Sequence, residues 1–242
     1  MHKDERLAKR KKRLLQKQVR FSCVGTGANL VRMTFRSESY PVPIQAHPEA
    51  RALASARIEM YTLPGFLNAQ ECAGLIARIE AHHRPSTITG YSGDDAFRTS
   101  STCDLPASDP LVARVRQRLC ALAGCPESHA EPLQGQRYAI DQEFKAHTDY
   151  FEPDRPEFAQ YCSHAGQRTW TYMVYLNAVD AGGATRFKVL ERIIQPETGK
   201  LVCWNNQRPD GSPNAATLHH AMKVRSGRKY IITQWFRERA WG

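Results

Sequence analysis

The sequence predicts an α+β domain whose β-structure closes on itself or doubles into two layers. Two segments repeat apolar residues at helical spacing, and after Glu131 the pattern changes to six segments rich in alternating β-branched and aromatic residues. Helices first and strands afterwards is the order of an α+β chain, not of alternating βαβ units.

Residues 2–20 are rich in Lys and Arg, with Leu7, Leu14, Leu15 and Val19 spaced loosely like one apolar helix stripe. A solvated, partly disordered arm is the plain reading; contact with nucleic acid, an acidic partner or a membrane surface is the other. Val31, Met33 and Phe35 alternate with polar residues as in one short strand, and Tyr40 to Pro48 reads as a linker. Residues 1–50 are thus a basic extension with a Pro-containing linker, and the main domain is expected to begin near Ile58.

Asn68 followed by Glu71 is a capping-box variant, and Cys72, Leu75, Ile76 and Ile79 continue it as an amphipathic helix from about Ala69 to Ala81. A second helix starts at Ser108 or Asp109 with Pro110 in its first turn. It turns Leu111, Val115, Leu119 and Leu122 inward and stops at Gly124 before Pro126. Strands are expected over Leu133–Ile140, Phe144–Phe151, Thr169–Leu176, Lys200–Trp204, Thr217–Val224 and Lys229–Arg237.

Composition narrows the function class. Nine Lys or Arg and two Asp or Glu in residues 1–20 give a local +7 of the total +10, so the high pI says little about the main body. No apolar run approaches the roughly 20 residues needed to cross a bilayer, and the N-terminus lacks the apolar stretch of a signal peptide, so a cytoplasmic location is expected. Seven scattered cysteines without a Cys-x-x-Cys argue against a disulfide framework or a structural zinc site.

Chemistry concentrates elsewhere. In a strand, His147 and Asp149 leave the same face and supply two legs of a 2-His-1-carboxylate triad. His219 and His220 both offer the third. If Val224 to Lys229 is a hairpin with a three-residue loop and Gly227 in the left-handed position, Lys223 pairs with Lys229 and His219 shares the Lys229 face; a two-residue turn would select His220 instead. Lys229, Ile231, Thr233 and Trp235 alternate with Tyr230, Ile232 and Gln234, and this pattern alone does not say which face is inside.

These residues resemble the collagen-type prolyl 4-hydroxylase branch of the Fe(II)/2-oxoglutarate-dependent oxygenases. The matching blocks run in order through Phe97-Arg-Thr-Ser-Ser101, Gln136-Arg-Tyr138, His147-x-Asp149, Gly166-Gln-Arg168, Tyr175-Leu-Asn177, Gly182-Gly-Ala-Thr185, Trp204-Asn205 and His219 through Gly227-x-Lys229 to Trp235. The resemblance implies a double-stranded β-helix, or jelly-roll, with supporting N-terminal helices, spanning residues 58–239. It implies Fe(II) held by His147, Asp149 and His219, with no catalytic residue beyond these ligands. Lys229 would meet the distal carboxylate of 2-oxoglutarate, with Tyr138, Tyr175 and Thr171 beside the cosubstrate and Arg168 and Trp235 on the substrate side. O2 and ascorbate complete the cofactor set, and the substrate would be a proline-containing peptide or protein. A free amino acid, a small metabolite or a non-prolyl side chain is the alternative target; a non-catalytic role, or nucleic-acid binding through the basic arm, is a third reading. The departures are Phe144 where the family usually has tyrosine, Ala139 and Asp141 in place of loop glycines, and Arg237 where small relatives often carry histidine.

Overall fold

The computed structural model describes residues 43–87 and 96–241. The basic stripe of residues 2–20, the strand expected at 31–35 and the first residues of the linker lie outside the described residues. Packing begins earlier than residue 58. Ile44, in a 3-10 turn over Ile44–Ala46, is completely buried in the main core.

In chain order the elements are β1 (Arg51–Ala52), β2 (Met60–Leu63), α1 (Ala69–His82), β3 (Arg84–Pro85), β4 (Ser101–Asp104) and α2 (Pro110–Ala123). Then follow β5 (Gln134–Tyr138), β6 (Phe144–His147), α3 (Pro156–Cys162), β7 (Arg168–Tyr175), β8 (Ala181–Gly182), β9 (Thr185–Phe187) and β10 (Arg192–Ile194). The last are β11 (Leu201–Asn205), β12 (His219–Ala221), β13 (Val224–Ser226) and β14 (Lys229–Arg237). They form an eight-stranded antiparallel sheet in the order β1-β2-β11-β7-β14-β5-β4-β3, a four-stranded antiparallel sheet β10-β9-β12-β6, and the pair β13-β8. A mostly antiparallel architecture with few helices is consistent with a jelly-roll core.

Local chemistry explains the helix ends. The Asn68 side chain accepts from Glu71 N at 2.8 Å while Glu71 accepts from Asn68 N at 3.0 Å, a complete capping box. Asp109 caps α2 by accepting from the N–H groups of Leu111 and Val112, and Gly124 ends it in the left-handed conformation at φ 62°.

Strand alternation splits the large sheet into two faces. Tyr172 and Val174 of β7 and Ile232 of β14 pack into one core with Leu75 and Ile79 of α1 and Val115 and Leu119 of α2. Met173, Tyr175 and Ile231 face the opposite way and form a second core with Phe187 and Ala221 of the small sheet. The space between the two sheets therefore holds any site built on β6, β12 or this face of β14.

Two further expectations need correction. Strand β6 stops at His147, so Asp149 lies beyond the strand end instead of two places along it. The hairpin over 224–229 does not form. Val224 pairs with Gly182 and Lys229 with Tyr138, and Gly227, at φ 78°, turns the chain from β13 in the two-stranded pair to β14 in the large sheet. The short elements α3, β8, β9 and β10 carry too few residues to show a period, so the sequence pattern does not announce them. The six described cysteines are all free thiols, and no described helix is long and apolar enough to cross a membrane.

Asp141 keeps the backbone shape of the glycine it replaces. Its φ is 64°, a left-handed conformation that side chains other than Asn and Asp strongly resist, and its N–H donates to Val224 O at 2.9 Å. Asp141→Gly should stabilise the fold by about 1 kcal/mol, a rise in Tm of about 2–4 °C for a domain of this size. A thermal melt showing a lower Tm for the glycine variant would mean that the aspartate side chain, not the turn shape, matters at this position.

Candidate active site

His147, Asp149 and His219 converge between the two sheets. One ligand atom from each lies within 4.8 Å of the others, the only such cluster of three found among the described residues. Residues His147 on β6 and His219 on β12 are direct cross-strand partners, so the sheet register itself sets the two imidazoles side by side, with ring centroids 4.3 Å apart.

Backbone carbonyls orient both rings. His147 Nδ1–H donates to Lys145 O at 2.8 Å and His219 Nδ1–H donates to Thr217 O at 2.9 Å, because a carbonyl can only accept. Each Nε2 is thereby left with a free lone pair facing the carboxylate, 4.0 Å from Asp149 Oδ1 and Oδ2 respectively. Phe144 stacks on His147 with centroids 3.5 Å apart, and Phe187 and Trp204 pack around His219 at 5.5 and 4.9 Å. Burial, then the neighbouring His219, pushes the His147 pKa down to about 3, so the ring is a neutral donor at physiological pH.

Asp149 is fixed from behind. Its Oδ2 accepts from Thr171 Oγ1 at 2.7 Å, and Thr171 Oγ1 accepts in turn from Asn206 Nδ2 at 3.0 Å; both partners are fully buried. Burial alone would raise the Asp149 carboxyl, but His219, His147, Arg168 and the Thr171 hydrogen bond outweigh it and hold it below the usual carboxylate range. An ionised carboxylate and two imidazole Nε2 atoms with open positions beside them are a donor set suited to ferrous iron. Thr171→Val, which removes only the hydroxyl, should weaken Co(II) or Fe(II) binding by about tenfold to a hundredfold and lower folding stability by about 1–3 kcal/mol, because the buried Asn206 amide loses its acceptor. An unchanged metal titration would show that Asp149 holds its place without Thr171.

Lys229 opens β14, opposite Tyr138 at the end of β5. Its side chain is completely buried on the Ile231 face, which settles the orientation that the alternating pattern left undecided. Among the described residues its Nζ has no hydrogen-bond partner and lies 5.1 and 5.4 Å above the rings of Tyr138 and Tyr175. Burial pushes its pKa down to about 7. The two tyrosine hydroxyls are already engaged, Tyr138 with Gln136 Oε1 at 2.8 Å and Tyr175 with Thr185 Oγ1 at 2.7 Å. A buried ammonium without a counter-charge is costly, and an anionic ligand removes that cost. The residues present therefore fit a dicarboxylate at this end of the site.

A cleft of about 770 Å³ leads to the metal ligands, with Arg98, Phe144, Arg168 and Trp235 in its wall. Arg168 donates through Nε and Nη2 to the two oxygens of Glu131, at 2.7 and 2.8 Å, and its guanidinium covers the Trp235 ring at 4.0 Å. Arg237, 2% exposed, joins the same carboxylate at 3.1 Å and also donates to Tyr161 O. His220 points away from the centre and pairs with Glu143 at 2.8 Å. Sequence reasoning missed Asn206, Glu131 and Arg98. Asn206 carried no signal, Glu131 served only as the boundary where the pattern changes, and Arg98 sat in a matched block without a role.

Comparison with known proteins agrees with this geometry. The model of the 2OG-Fe(II) oxygenase superfamily matches residues 133–237. Prolyl 4-hydroxylase subunit alpha-1 of Mus musculus is 31% identical over 153 residues, which cover 63% of this chain and 28% of that protein. The chain thus spans little more than a quarter of that relative. Probable prolyl 4-hydroxylase 9 of Arabidopsis thaliana is 25% identical over 198 residues, 72% of this chain and 67% of the relative. The crystal structure of the viral collagen prolyl hydroxylase from Paramecium bursaria Chlorella virus-1, in complex with 2OG, aligns with a TM-score of 0.58 and 26% identity, covering 74% of this chain and 95% of that one.

Proposed function

We propose that this chain is a member of the 2OG-Fe(II) oxygenase superfamily, within its prolyl hydroxylase branch, and that it hydroxylates a peptidyl proline while converting 2-oxoglutarate to succinate and CO2. The observation that carries this reading is the joint presence of the converging triad and a fully buried ammonium at Lys229 that has no hydrogen-bond partner among the described residues. Either feature alone would suit several kinds of site; together they match a ferrous ion and a dicarboxylate in neighbouring positions.

His147, Asp149 and His219 would hold Fe(II), and Lys229 would hold the distal carboxylate of 2-oxoglutarate through a charge-assisted hydrogen bond. When bound, the ion and cosubstrate would supply the oxidising power that inserts one atom of O2 into a C–H bond while the other enters succinate, and ascorbate would keep the resting iron ferrous. The protein's own work is positioning. Tyr138 and Tyr175 offer ring faces to the cosubstrate end and Thr171 fixes the carboxylate ligand, while Trp235, flattened beneath Arg168, offers an apolar plane for a proline ring. Phe144, Phe187 and Trp204 keep water from the rings of the two histidines. In this reading the two main sheets are a double-stranded β-helix supported by α1 and α2, and residues 58–239 are the catalytic domain.

The test is incubation with Fe(II), 2-oxoglutarate, ascorbate and a panel of proline peptides, with mass spectrometry for the gain of one oxygen atom and assay of succinate. Hydroxylation of a free amino acid or small metabolite with every peptide left unchanged would overturn the peptidyl-proline assignment. Trp235→Ala is expected to reduce peptide hydroxylation by about tenfold or more while altering the slow, substrate-free turnover of 2-oxoglutarate much less, because only the first needs the cleft wall. Equal losses in the two assays would place Trp235 in the metal and cosubstrate site instead.

A further inference from the structure

The cleft wall contains a half-buried cation to which no described carboxylate is bonded. Arg84 pairs with Asp104 at 2.6 Å and Arg168 with Glu131 at 2.7 Å. Arg98 donates only to neutral acceptors: Ser100 Oγ at 3.2 Å, Thr87 O at 3.2 Å, Thr102 Oγ1 at 3.1 Å and Gln134 Oε1 at 3.3 Å. The remaining acidic groups of the wall are not bonded to it. Glu152 and Glu157 belong to the outer segment around α3, beside Arg155, and Asp149, whose charge is felt at Arg98, is bonded within the triad and to Thr171 and not to the guanidinium.

Arg98 is also close to the chemistry. Its guanidinium lies 4.6 Å over the Phe144 ring, and that ring stacks on His147 at 3.5 Å. At these separations two groups cannot share one face, so Phe144 is sandwiched between the cation and a metal ligand. The four neutral bonds hold the guanidinium in place without neutralising it, which is how a preformed anion site is built. A tyrosine, usual in the family at 144, would add a hydroxyl at the ring edge; phenylalanine leaves Arg98 without that competitor.

Resting on the peptidyl-proline reading, we propose that Arg98 is a carboxylate-binding subsite and that the preferred substrate carries an acidic group next to the target. The two stacking distances, set against an advance of about 3.3–3.6 Å per residue in an extended peptide, place that group within about two residues of the hydroxylated one. An Asp or Glu side chain and a free C-terminal carboxylate share this chemistry.

The experiment uses the full chain with Fe(II), 2-oxoglutarate and end-blocked peptides that differ only beside the proline, as Glu, Gln or Lys, together with a neutral peptide ending in a free carboxylate just after the proline. The Glu peptide should exceed the Gln peptide in kcat/KM by about tenfold or more, with Lys lowest and the gap narrowing as salt is added. Preference confined to the free-carboxylate peptide would assign the subsite to a chain end. Arg98→Gln should remove the gap and Arg98→Glu should reverse its order. The comparison on the unmodified protein needs no variant, so a misfolded variant does not rescue the idea. Equal turnover of Glu and Gln peptides, or a gap that survives Arg98→Gln, overturns the subsite and leaves the prolyl reading standing. If no peptide is hydroxylated, binding of the same labelled peptides decides: tighter binding of the acidic one, lost in Arg98→Gln, keeps the subsite while the prolyl reading falls, and equal binding removes both.

Discussion

Lys229→Met should raise the 2-oxoglutarate requirement several hundredfold while making the ligand-free protein more stable. The first effect follows because removing one partner of a buried charge pair typically costs about 3–5 kcal/mol. The second has the same cause seen without ligand, since the Lys229 ammonium is completely buried with no counter-charge among the described residues and methionine fills similar space at no electrostatic cost. The pH dependence carries a definite sign. Burial brings the folded pKa from 10.5 to about 7. The unfolded chain keeps this proton up to the higher value, so between the two it binds more protons than the folded chain, and ligand-free stability rises with pH across that window. Below about pH 7 the full cost of the buried charge is present and the contribution is flat. The methionine variant should lack this rise. A carboxylate ligand restores the charged form, so at pH 8 binding of 2-oxoglutarate should take up a proton, visible by calorimetry in two buffers of different protonation enthalpy. An unchanged cosubstrate requirement together with an unchanged pH profile would remove Lys229 from the site.

His147→Ala, Asp149→Ala and His219→Ala should each abolish 2-oxoglutarate turnover, whereas His220→Ala should keep most of it. The three are the only described cluster able to hold the ion, and each contributes one ligand atom. His220 is adjacent in sequence but alternates to the opposite face of β12, where it meets Glu143 at 2.8 Å. Spectroscopic titration with Co(II) separates loss of metal from loss of chemistry: affinity should collapse in the first three variants and persist in the fourth. A dead His220→Ala beside an active His219→Ala would mean that the pairing of β12 with β6 is wrong.

Helices α1 and α2 are legible in the sequence because their signals are local. Asn68 with Glu71, and Asp109 through Gly124, specify caps and ends within a few residues. The structure sets His219, not His220, beside His147 and Asp149, but not through the expected hairpin. His219 sits in the small sheet and Lys229 in the large one, and they share an interior because the two sheets face one another. Strand pairing is set by residues far apart in the chain, which no local register argument can supply. The same limit hides Glu131 and Asn206. The first acts through Arg168 and Arg237, 37 and 106 residues away, and the second through Thr171, 35 residues away. In the sequence Phe144 is only a missing hydroxyl; the structure gives it a positive part as the ring between Arg98 and His147.

Strand β14 lies in the middle of the large sheet, between β7 and β5, although both neighbours precede it by more than fifty residues. During synthesis, therefore, the sheet stays split until residues 229–237 leave the ribosome, and β5 and β7 each present a bare hydrogen-bonding edge. Neither the buried lysine nor the cleft tryptophan exists on the shorter nascent chain, and His219 emerges 72 residues after His147, so iron caught early meets only two ligands and no place for a cosubstrate. Oxidising chemistry is thereby deferred to the completed fold. The same order makes a chain stalled before residue 229 prone to edge-to-edge association, which a ribosome-arrest series with a pelleting assay would register as a sharp loss of aggregation once β14 is free to insert.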